Sequence, residues 1–149
     1  MTTEQYEQKG RNKLKADFDN AECEMMYEFT DKKYDSIDCF ATACTGERFA
    51  IEIKNRDISI NKYNQILLEK VKYDALIDAY NKGYRPLYRC YFKDGVITWD
   101  LSLIDIENRV EQMPCAASTQ DYGHKVKKNV IMLKKEEGIV KKRDNSKTS

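Results

Sequence analysis

The chain has 149 residues, of which 41% are hydrophobic and 34% charged, so it fits one ordinary domain with a packed core and a strongly solvated surface. No run of about 18 apolar residues occurs, which excludes a membrane-spanning helix. The polar opening MTTEQYEQKG leads us to expect no secretory signal. The formal net charge of +1 does not indicate a strongly basic nucleic-acid-binding protein.

The near-neutral total conceals an uneven distribution of charge along the chain. Residues 125–149 contain nine Lys or Arg and three Asp or Glu, a net charge of +6. Residues 1–124 contain 17 basic and 22 acidic groups, a net charge of −5. The sequence therefore combines an acidic body with a basic C-terminal end.

The first half of the chain predicts one helix followed by three strands. Residues 3–18 are expected to form the helix, with Thr3 as its N-cap, and Gly10 would let a neighbouring element approach closely. Three strands are predicted over Glu22–Phe29, Tyr34–Ala43 and Arg48–Lys54. The segment Thr45-Gly46-Glu47 predicts a hairpin turn between the last two of them.

The second half predicts another helix and two or three more strands. Apolar residues at helical spacing predict a helix over residues 61–82, and Gly83 is expected just beyond its end. Strands are predicted over Leu87–Phe92 and Val96–Leu101, joined by a turn with Asp-Gly, and a short strand over Val130–Leu133 is expected to close the sheet. This order indicates an α+β or mixed α/β fold. We expect a single domain over residues 1–133 and a charged, flexible tail over residues 134–149.

Five cysteines stand at positions 23, 39, 44, 90 and 115. The number is odd, no C-x-x-C pair occurs, and a single histidine leaves no zinc-finger spacing. Several cysteines lie inside apolar runs, which favours reduced, mostly buried thiols in a cytoplasmic protein. A nucleophilic pair formed by Cys115 and His124 remains as an alternative centre.

The segment from residue 49 to residue 54 carries the pattern that most suggests chemistry. Alternate side chains of a strand share a face, so the hydrophobic residues should point to the core and Glu52 and Lys54 to the other face. Pairing with the preceding strand could bring Asp38 next to Glu52. Two carboxylates beside a lysine suit phosphodiester hydrolysis, because carboxylates bind Mg²⁺ and the metal activates a water molecule. The alternative is that Glu52 and Lys54 are the solvated face of an antiparallel strand.

In this order of elements, Asp38 followed by Glu52-Ile-Lys54 resembles the PD-(D/E)XK nuclease superfamily, which has the restriction-endonuclease-like fold. The longer segment that ends at Arg56 looks most like the E-x-K-x-R segment of archaeal Holliday-junction resolvases and related phage or mobile-element nucleases. The resemblance covers roughly residues 3–101. Ile37 replaces the proline of the family motif, and Asp35 is an alternative first acid.

The resemblance implies a DNA endonuclease that depends on Mg²⁺, or on Mn²⁺, and that acts as a homodimer on double-stranded or branched DNA. It implies that Asp38 and Glu52 bind the metal and that Lys54 assists catalysis. Members often add a glutamate from the first helix, for which Glu7 is the candidate with Glu4 behind it. Some add a polar residue on the helix after the motif, a location that Gln65 fits. The alternative function is a non-catalytic module that keeps the fold and binds nucleic acid or protein.

Contacts with a nucleic-acid backbone require cations outside the metal site. The candidates after the motif are Arg56, Lys62, Lys70 and Lys72, and those near the C-terminal end are Lys125, Lys127, Lys128, Lys134 and Lys135. The alternative is that these residues form a solubilising surface and a disordered basic end. In the first interpretation the acidic body holds the metal, and the basic end holds the phosphates.

Overall fold

The computed structural model describes residues 2–31, 36–116 and 125–143. Within these ranges the helices are α1 (Thr3–Asp19) and α2 (Lys70–Asn81). The strands are β1 (Met25–Phe29), β2 (Cys39–Ala43), β3 (Arg48–Asn55), β4 (Gln65–Glu69), β5 (Arg85–Phe92), β6 (Gly95–Asp100), β7 (Val110–Ala116), β8 (Lys125–Lys134) and β9 (Ile139–Lys142). Neither helix of the described ranges is long and apolar enough to cross a membrane.

The strands form two sheets. The main sheet has six strands in the order β1-β2-β3-β5-β6-β9, and the small sheet has three in the order β4-β8-β7. Strands β3 and β5 are parallel, and the other pairs of the main sheet are antiparallel. The predicted α+β class with a mixed central sheet is therefore confirmed.

Both faces of the main sheet are covered. Helix α1 packs on one face, where Leu14 meets Ile51 and Ile53 of β3. Helix α2 and the small sheet pack on the other face, where Leu76 and Ile131 join a larger core around Trp99. As a result β3 is buried on both sides from Ala50 to Ile53, a pattern typical of a central strand.

Local sequence signals fix the ends of α1. The N-cap is Thr2, one residue before the predicted Thr3, because the Thr2 hydroxyl accepts from the Gln5 N–H and the Gln5 side chain accepts from the Thr2 N–H. Gly10 gives the close approach that was predicted. A Cβ atom at this position would lie 2.9 Å from Ile53 Cγ2, so the helix can rest directly on β3.

The prediction of one helix over residues 61–82 is wrong in its first half. Residues Gln65–Glu69 form β4, and the helix begins only at Lys70. In β4, Ile66 and Leu68 are buried on one face, which is the two-residue period of a strand. The strand conformation prevails because β4 pairs with β8, a partner more than 60 residues away. The helix ends as predicted, and Gly83 adopts a φ of 99° just beyond it.

Two expectations for the C-terminal part also fail. The strand predicted over Val130–Leu133 belongs to the longer β8, which lies in the small sheet and does not close the main one. The edge of the main sheet is instead β9, within the tail that was expected to be flexible. Residues Ile139–Lys142 are ordered there by pairing with β6. Gly95 permits this approach, since a Cβ atom would lie 2.6 Å from the Lys141 carbonyl oxygen.

The prediction that all cysteines are reduced is wrong for two of them. Cys23 and Cys44 form a disulfide that ties the segment after α1 to the turn between β2 and β3. Cys39 and Cys90 are free and buried, as predicted, and Cys115 is free and half-buried. The other residue of the alternative pair, His124, and the alternative acid Asp35 lie outside the described residues.

Candidate active site

Pairing of β2 with β3 places the two predicted carboxylates side by side. Asp38 immediately precedes β2, and its backbone N–H donates to the Ile51 carbonyl oxygen at 3.0 Å. Its Oδ2 atom accepts from the Ile53 N–H at 2.9 Å. Glu52 lies at the centre of β3, and the register in which Cys39 faces Ile51 puts it directly opposite Asp38. The proximity predicted from the hairpin is therefore present.

Glu52 does not lie on a solvated face. It is only 4% exposed, because α2 and the small sheet cover this side of β3. A buried carboxyl group must be paired or protonated to avoid a large desolvation penalty. The simple alternative of a wet strand face therefore does not describe this position.

Arg11 of α1 approaches Asp38 from the other side. Its guanidinium lies 3.1 Å from Asp38 Oδ1 and donates to the Thr30 carbonyl oxygen at 2.7 Å. The same group lies 5.2 Å from the centre of the Phe29 ring, and Arg11 is 8% exposed. Arg11 was not among the site residues predicted from the sequence. Its signal was a cation three positions before Leu14, on the apolar face of the predicted helix.

Lys72, in the first turn of α2, approaches Glu52. Its ammonium group lies 3.3 Å from Glu52 Oε1. From the sequence, Lys72 was predicted only as a cation at the rim of the site, and Gln65 was predicted for the polar position on this helix. Gln65 lies instead in β4 and is exposed. Because the helix begins later than predicted, Lys72 is the helical residue that meets the carboxyl pair.

Lys54 shares the face of Glu52, as the alternation of β3 predicts. Its side chain is accessible to solvent, yet protein atoms crowd around it. This desolvation, followed by the positive charges of Arg56 and Lys72, lowers the pKa of Lys54 below its ordinary value. No carboxylate of the described residues forms an ion pair with it within 4.0 Å. The lysine of the motif therefore has no ion-pair partner among the described residues, and its pKa is lowered.

The two carboxyl groups have opposite pKa shifts. Burial raises the pKa of Glu52 well above its ordinary value, and the neighbouring Asp38 raises it further. Burial also acts to raise the pKa of Asp38, but hydrogen bonds from Glu52, the Ile53 N–H and Arg11 outweigh it and lower that pKa. The two carboxyl groups are therefore coupled, and Glu52 is the one whose protonated form the surroundings favour.

The donor set suits one hard divalent cation. Mg²⁺ is often held by one or two carboxylates and keeps several water ligands. Asp38 and Glu52 supply these two carboxylates. The described residues contain no group of three Asp, Glu, His or Cys side chains close enough to form a larger set. Glu7, the predicted additional ligand, is exposed on α1 and belongs to no such group.

The candidate nucleic-acid-binding residues occupy different environments. Lys128 of β8 donates to Glu69 Oε1 at 2.7 Å, which ties the small sheet to the start of α2. Lys125 and Lys127 are exposed where β8 pairs with β7 alone. Lys62 is exposed, and Lys70 forms an ion pair with Asp74 along α2.

Arg56 does not extend from the rim into solvent. It is half-buried, and its guanidinium donates to the Leu67 carbonyl oxygen at 3.3 Å. Its backbone N–H donates to the Tyr91 carbonyl oxygen at 2.8 Å. Arg56 therefore links the end of β3 to β4 and β5.

No family model, no curated protein and no solved structure matches this chain. The carboxyl pair and the cations around it are therefore the features from which a function can be inferred.

Proposed function

We propose that this protein is a metal-dependent endonuclease that hydrolyses phosphodiester bonds of DNA and has a restriction-endonuclease-like core. The observation that carries the proposal is the buried Asp38–Glu52 pair with Lys54 and Lys72 beside it. Titratable groups with strongly perturbed pKa values cluster at functional sites. Mg²⁺ is the proposed cofactor, and Mn²⁺ could replace it.

A purely structural role for the pair accounts poorly for its composition. A buried ion pair contributes little net stability compared with apolar residues of similar size. The strand already has apolar neighbours at Ala50, Ile51 and Ile53, so an apolar residue in place of Glu52 would suit its packing. The presence of a carboxyl group within the buried part of β3 therefore favours a chemical role.

Each residue of the site has a distinct part in the proposed reaction. Asp38 and Glu52 would hold the metal, which when bound polarises the phosphoryl group and lowers the pKa of a water molecule. Lys54, with its lowered pKa, orients the attacking water and can accept its proton. Lys72 stabilises Glu52 in the ionised state, which Glu52 needs as a ligand. Arg11 keeps Asp38 ionised and fixed in position.

The cations of the small sheet suit a nucleic-acid backbone. Lys128 lies near the start of α2, and Lys125 and Lys127 continue along the same strand away from the carboxyl pair. Such a series can contact successive phosphates. The resemblance noted above, and not the geometry of the site, supports branched DNA as the substrate and a homodimer as the active species. A location in the cytoplasm was expected from reduced cysteines, and the Cys23–Cys44 disulfide removes part of that support.

One observation favours a second candidate function. Among the described residues only two carboxylates converge, and burial raises the pKa of one of them, Glu52. A protein that has kept the nuclease fold as a binding module for nucleic acid or protein would tolerate such a minimal set. This module would bind its partner in EDTA and would not require Glu52.

The test is a cleavage assay with the purified full chain. Supercoiled plasmid and a four-way DNA junction are each incubated with Mg²⁺, Mn²⁺ or EDTA. We expect metal-dependent cleavage that is lost in Glu52→Gln and retained in Glu136→Gln, a matched substitution at an exposed position. The proposal is wrong if the folded wild-type protein cuts neither DNA with either metal, or if Glu52→Gln cuts as fast as wild type.

A further inference from the structure

A pocket of about 250 Å³ lies between α1 and the last strand of the main sheet, outside the residues that surround the carboxyl pair. Its lining includes Lys13 and Asp17 of α1, Tyr91 of β5, and the consecutive cations Lys141, Lys142 and Arg143. Residues that carry four cations and one carboxylate therefore line a cavity with ample room for a phosphate group. The pairing of β9 with β6 creates this cluster by bringing the C-terminal cations next to α1.

The carboxylate of the pocket is already neutralised from within the fold. Asp17 Oδ2 accepts from the Arg89 guanidinium at 2.7 Å and from the Tyr91 hydroxyl at 2.6 Å. Over the described part of the chain, no carboxylate lies within 4.0 Å of any of the four pocket cations. The pocket therefore has an excess of positive charge that an anion would balance.

Lys13 is held in place for such a ligand. Its ammonium group donates to Asn55 Oδ1 at 2.7 Å and lies 5.6 Å from the centre of the Tyr91 ring. Desolvation, and then the charges of Arg143 and Lys9, lower the pKa of Lys13. A cation that is crowded by other cations gains most from a bound anion.

The pocket is connected to the candidate active site through β3 and α1. Asn55, which accepts from Lys13, directly follows Lys54 in β3. Arg11, two residues before Lys13 in α1, pairs with Asp38. Strand β9 lies three strand spacings from β3, roughly 14 Å at about 4.8 Å per spacing. One strand of a DNA duplex advances about 3.4 Å per nucleotide along the duplex axis, so this distance corresponds to roughly four nucleotides along that axis.

We propose that this pocket binds a backbone phosphate of the DNA substrate a few nucleotides from the bond that is hydrolysed. The inference depends on the proposed function and adds a contact surface to it. The pocket lies on the α1 side of the main sheet, whereas the lysines of β8 belong to the sheet packed on the opposite side. The pocket would therefore add a contact on the face of the main sheet that β8 does not cover.

The test measures binding separately from cleavage. All proteins carry Glu52→Gln to prevent cutting, and the affinity for a short fluorescein-labelled DNA duplex is measured by anisotropy at several salt concentrations. The pocket variant carries Lys13→Gln and Arg143→Gln. The control carries Lys15→Gln and Lys82→Gln, two exposed cations that do not line the pocket, so the change in net charge is the same.

Removal of two of the cations that hold the phosphate should lower the affinity by about eightfold at about 0.1 M salt and reduce the salt slope by about 0.9, the effect of one phosphate contact. The control should stay within about twofold of the parent, since exposed charges outside a contact surface matter little at this salt concentration. Circular dichroism verifies that each variant is folded. Lys142→Gln, on an exposed part of β9, provides a second and milder variant, which should lose less affinity than the double variant.

The outcomes separate this inference from the proposed function. Equal affinities of the pocket and control variants overturn the inference and leave the nuclease proposal to the cleavage assay. A parent protein that binds no DNA overturns both. If the pocket variant loses affinity but wild type never cuts DNA with either metal, the phosphate pocket is supported and the nuclease proposal is wrong.

Discussion

The ammonium group of Lys72 lies 3.3 Å from Glu52 Oε1, and this contact joins the start of α2 to the centre of β3. It brings a cation to the only carboxyl group in the main sheet that is almost fully buried among the described residues. Desolvation lowers the pKa of Lys72, but the negative charges of Glu52, Asp38 and Glu69 outweigh this effect and raise the pKa above its ordinary value. Lys72 is therefore a positive charge beside a carboxyl group whose pKa is raised by burial and lowered by Lys72 itself.

Substitution of Lys72 should impair cleavage much more than substitution of its neighbour. We expect Lys72→Met to lower the cleavage rate by about 100-fold, the scale of a lost electrostatic contact at a reacting centre. Lys70→Met should cut within about threefold of wild type, because Lys70 pairs with Asp74 on the helix surface. The measurement is single-turnover cleavage of a labelled duplex in Mg²⁺. Equal rates for the two variants would show that the contact with Glu52 has no part in catalysis.

The raised pKa of Glu52 makes stability depend on pH. A carboxyl group whose pKa is raised in the folded state stabilises the protein at pH values below 4.5, the pKa of the group in the unfolded chain. This contribution is lost as the pH rises through the pKa of the folded state. Glu52→Gln removes the ionisation and keeps the shape. We therefore expect this variant to become more stable than wild type as the pH rises from about 5 to 8, by at most about 1.4 kcal/mol per pH unit.

Urea unfolding across this pH range measures the effect of Glu52→Gln. Asp38 does not contribute to the change between about pH 5 and 8, because its lowered pKa adds stability that is lost only as the pH falls below about 4. Glu136→Gln, at an exposed position, is the control and should follow wild type at every pH. A constant difference between Glu52→Gln and wild type would contradict the raised pKa.

Some parts of this fold were predictable because their signals are local. Strand β3 and the turn before it follow from alternating residues and a central glycine, and their register places Asp38 beside Glu52. In contrast, β4 forms through pairing with β8, and β9 through pairing with β6. No local pattern encodes those partners, so the helix prediction extended too far and the ordered edge strand was missed.

The candidate site shows the same division. The motif residues share one strand and its neighbour, so alternation alone relates Glu52 to Lys54. Arg11 and Lys72 reach the carboxyl pair only because α1 and α2 pack on opposite faces of the main sheet. Arg11 was nonetheless detectable, since it lies on the same helical face as Gly10 and Leu14, where a charged residue needs a buried partner.

Removal of Arg11 should destabilise the fold. Arg11 and Asp38 are both largely buried, and loss of one partner leaves an uncompensated charge. We expect Arg11→Met to lower the free energy of unfolding by about 3 kcal/mol near neutral pH. The double variant Arg11→Met/Asp38→Asn should be less destabilised than the sum of the single variants, because it removes both charges. Urea titration of the four proteins gives this coupling, and additive effects would show that the pair does not interact.

The disulfide offers a further test of the fold that is independent of the active site. Cys23 and Cys44 are 21 positions apart, and closure of a loop of this length restricts the unfolded chain. The chain-entropy argument gives a stabilisation of about 3 kcal/mol. We therefore expect Cys23→Ala/Cys44→Ala to lower the free energy of unfolding by about this amount and to make it insensitive to dithiothreitol.

The half-buried Cys115 does not take part in the bridge, so Cys115→Ala should keep the response of wild type to the reductant. Since the bridge lies at the opposite end of β2 from Asp38, the double variant should retain metal-dependent cleavage at temperatures where it remains folded. With the bridge formed, wild type has three free thiols. Five titratable thiols, together with unfolding that dithiothreitol does not change, would contradict the pairing.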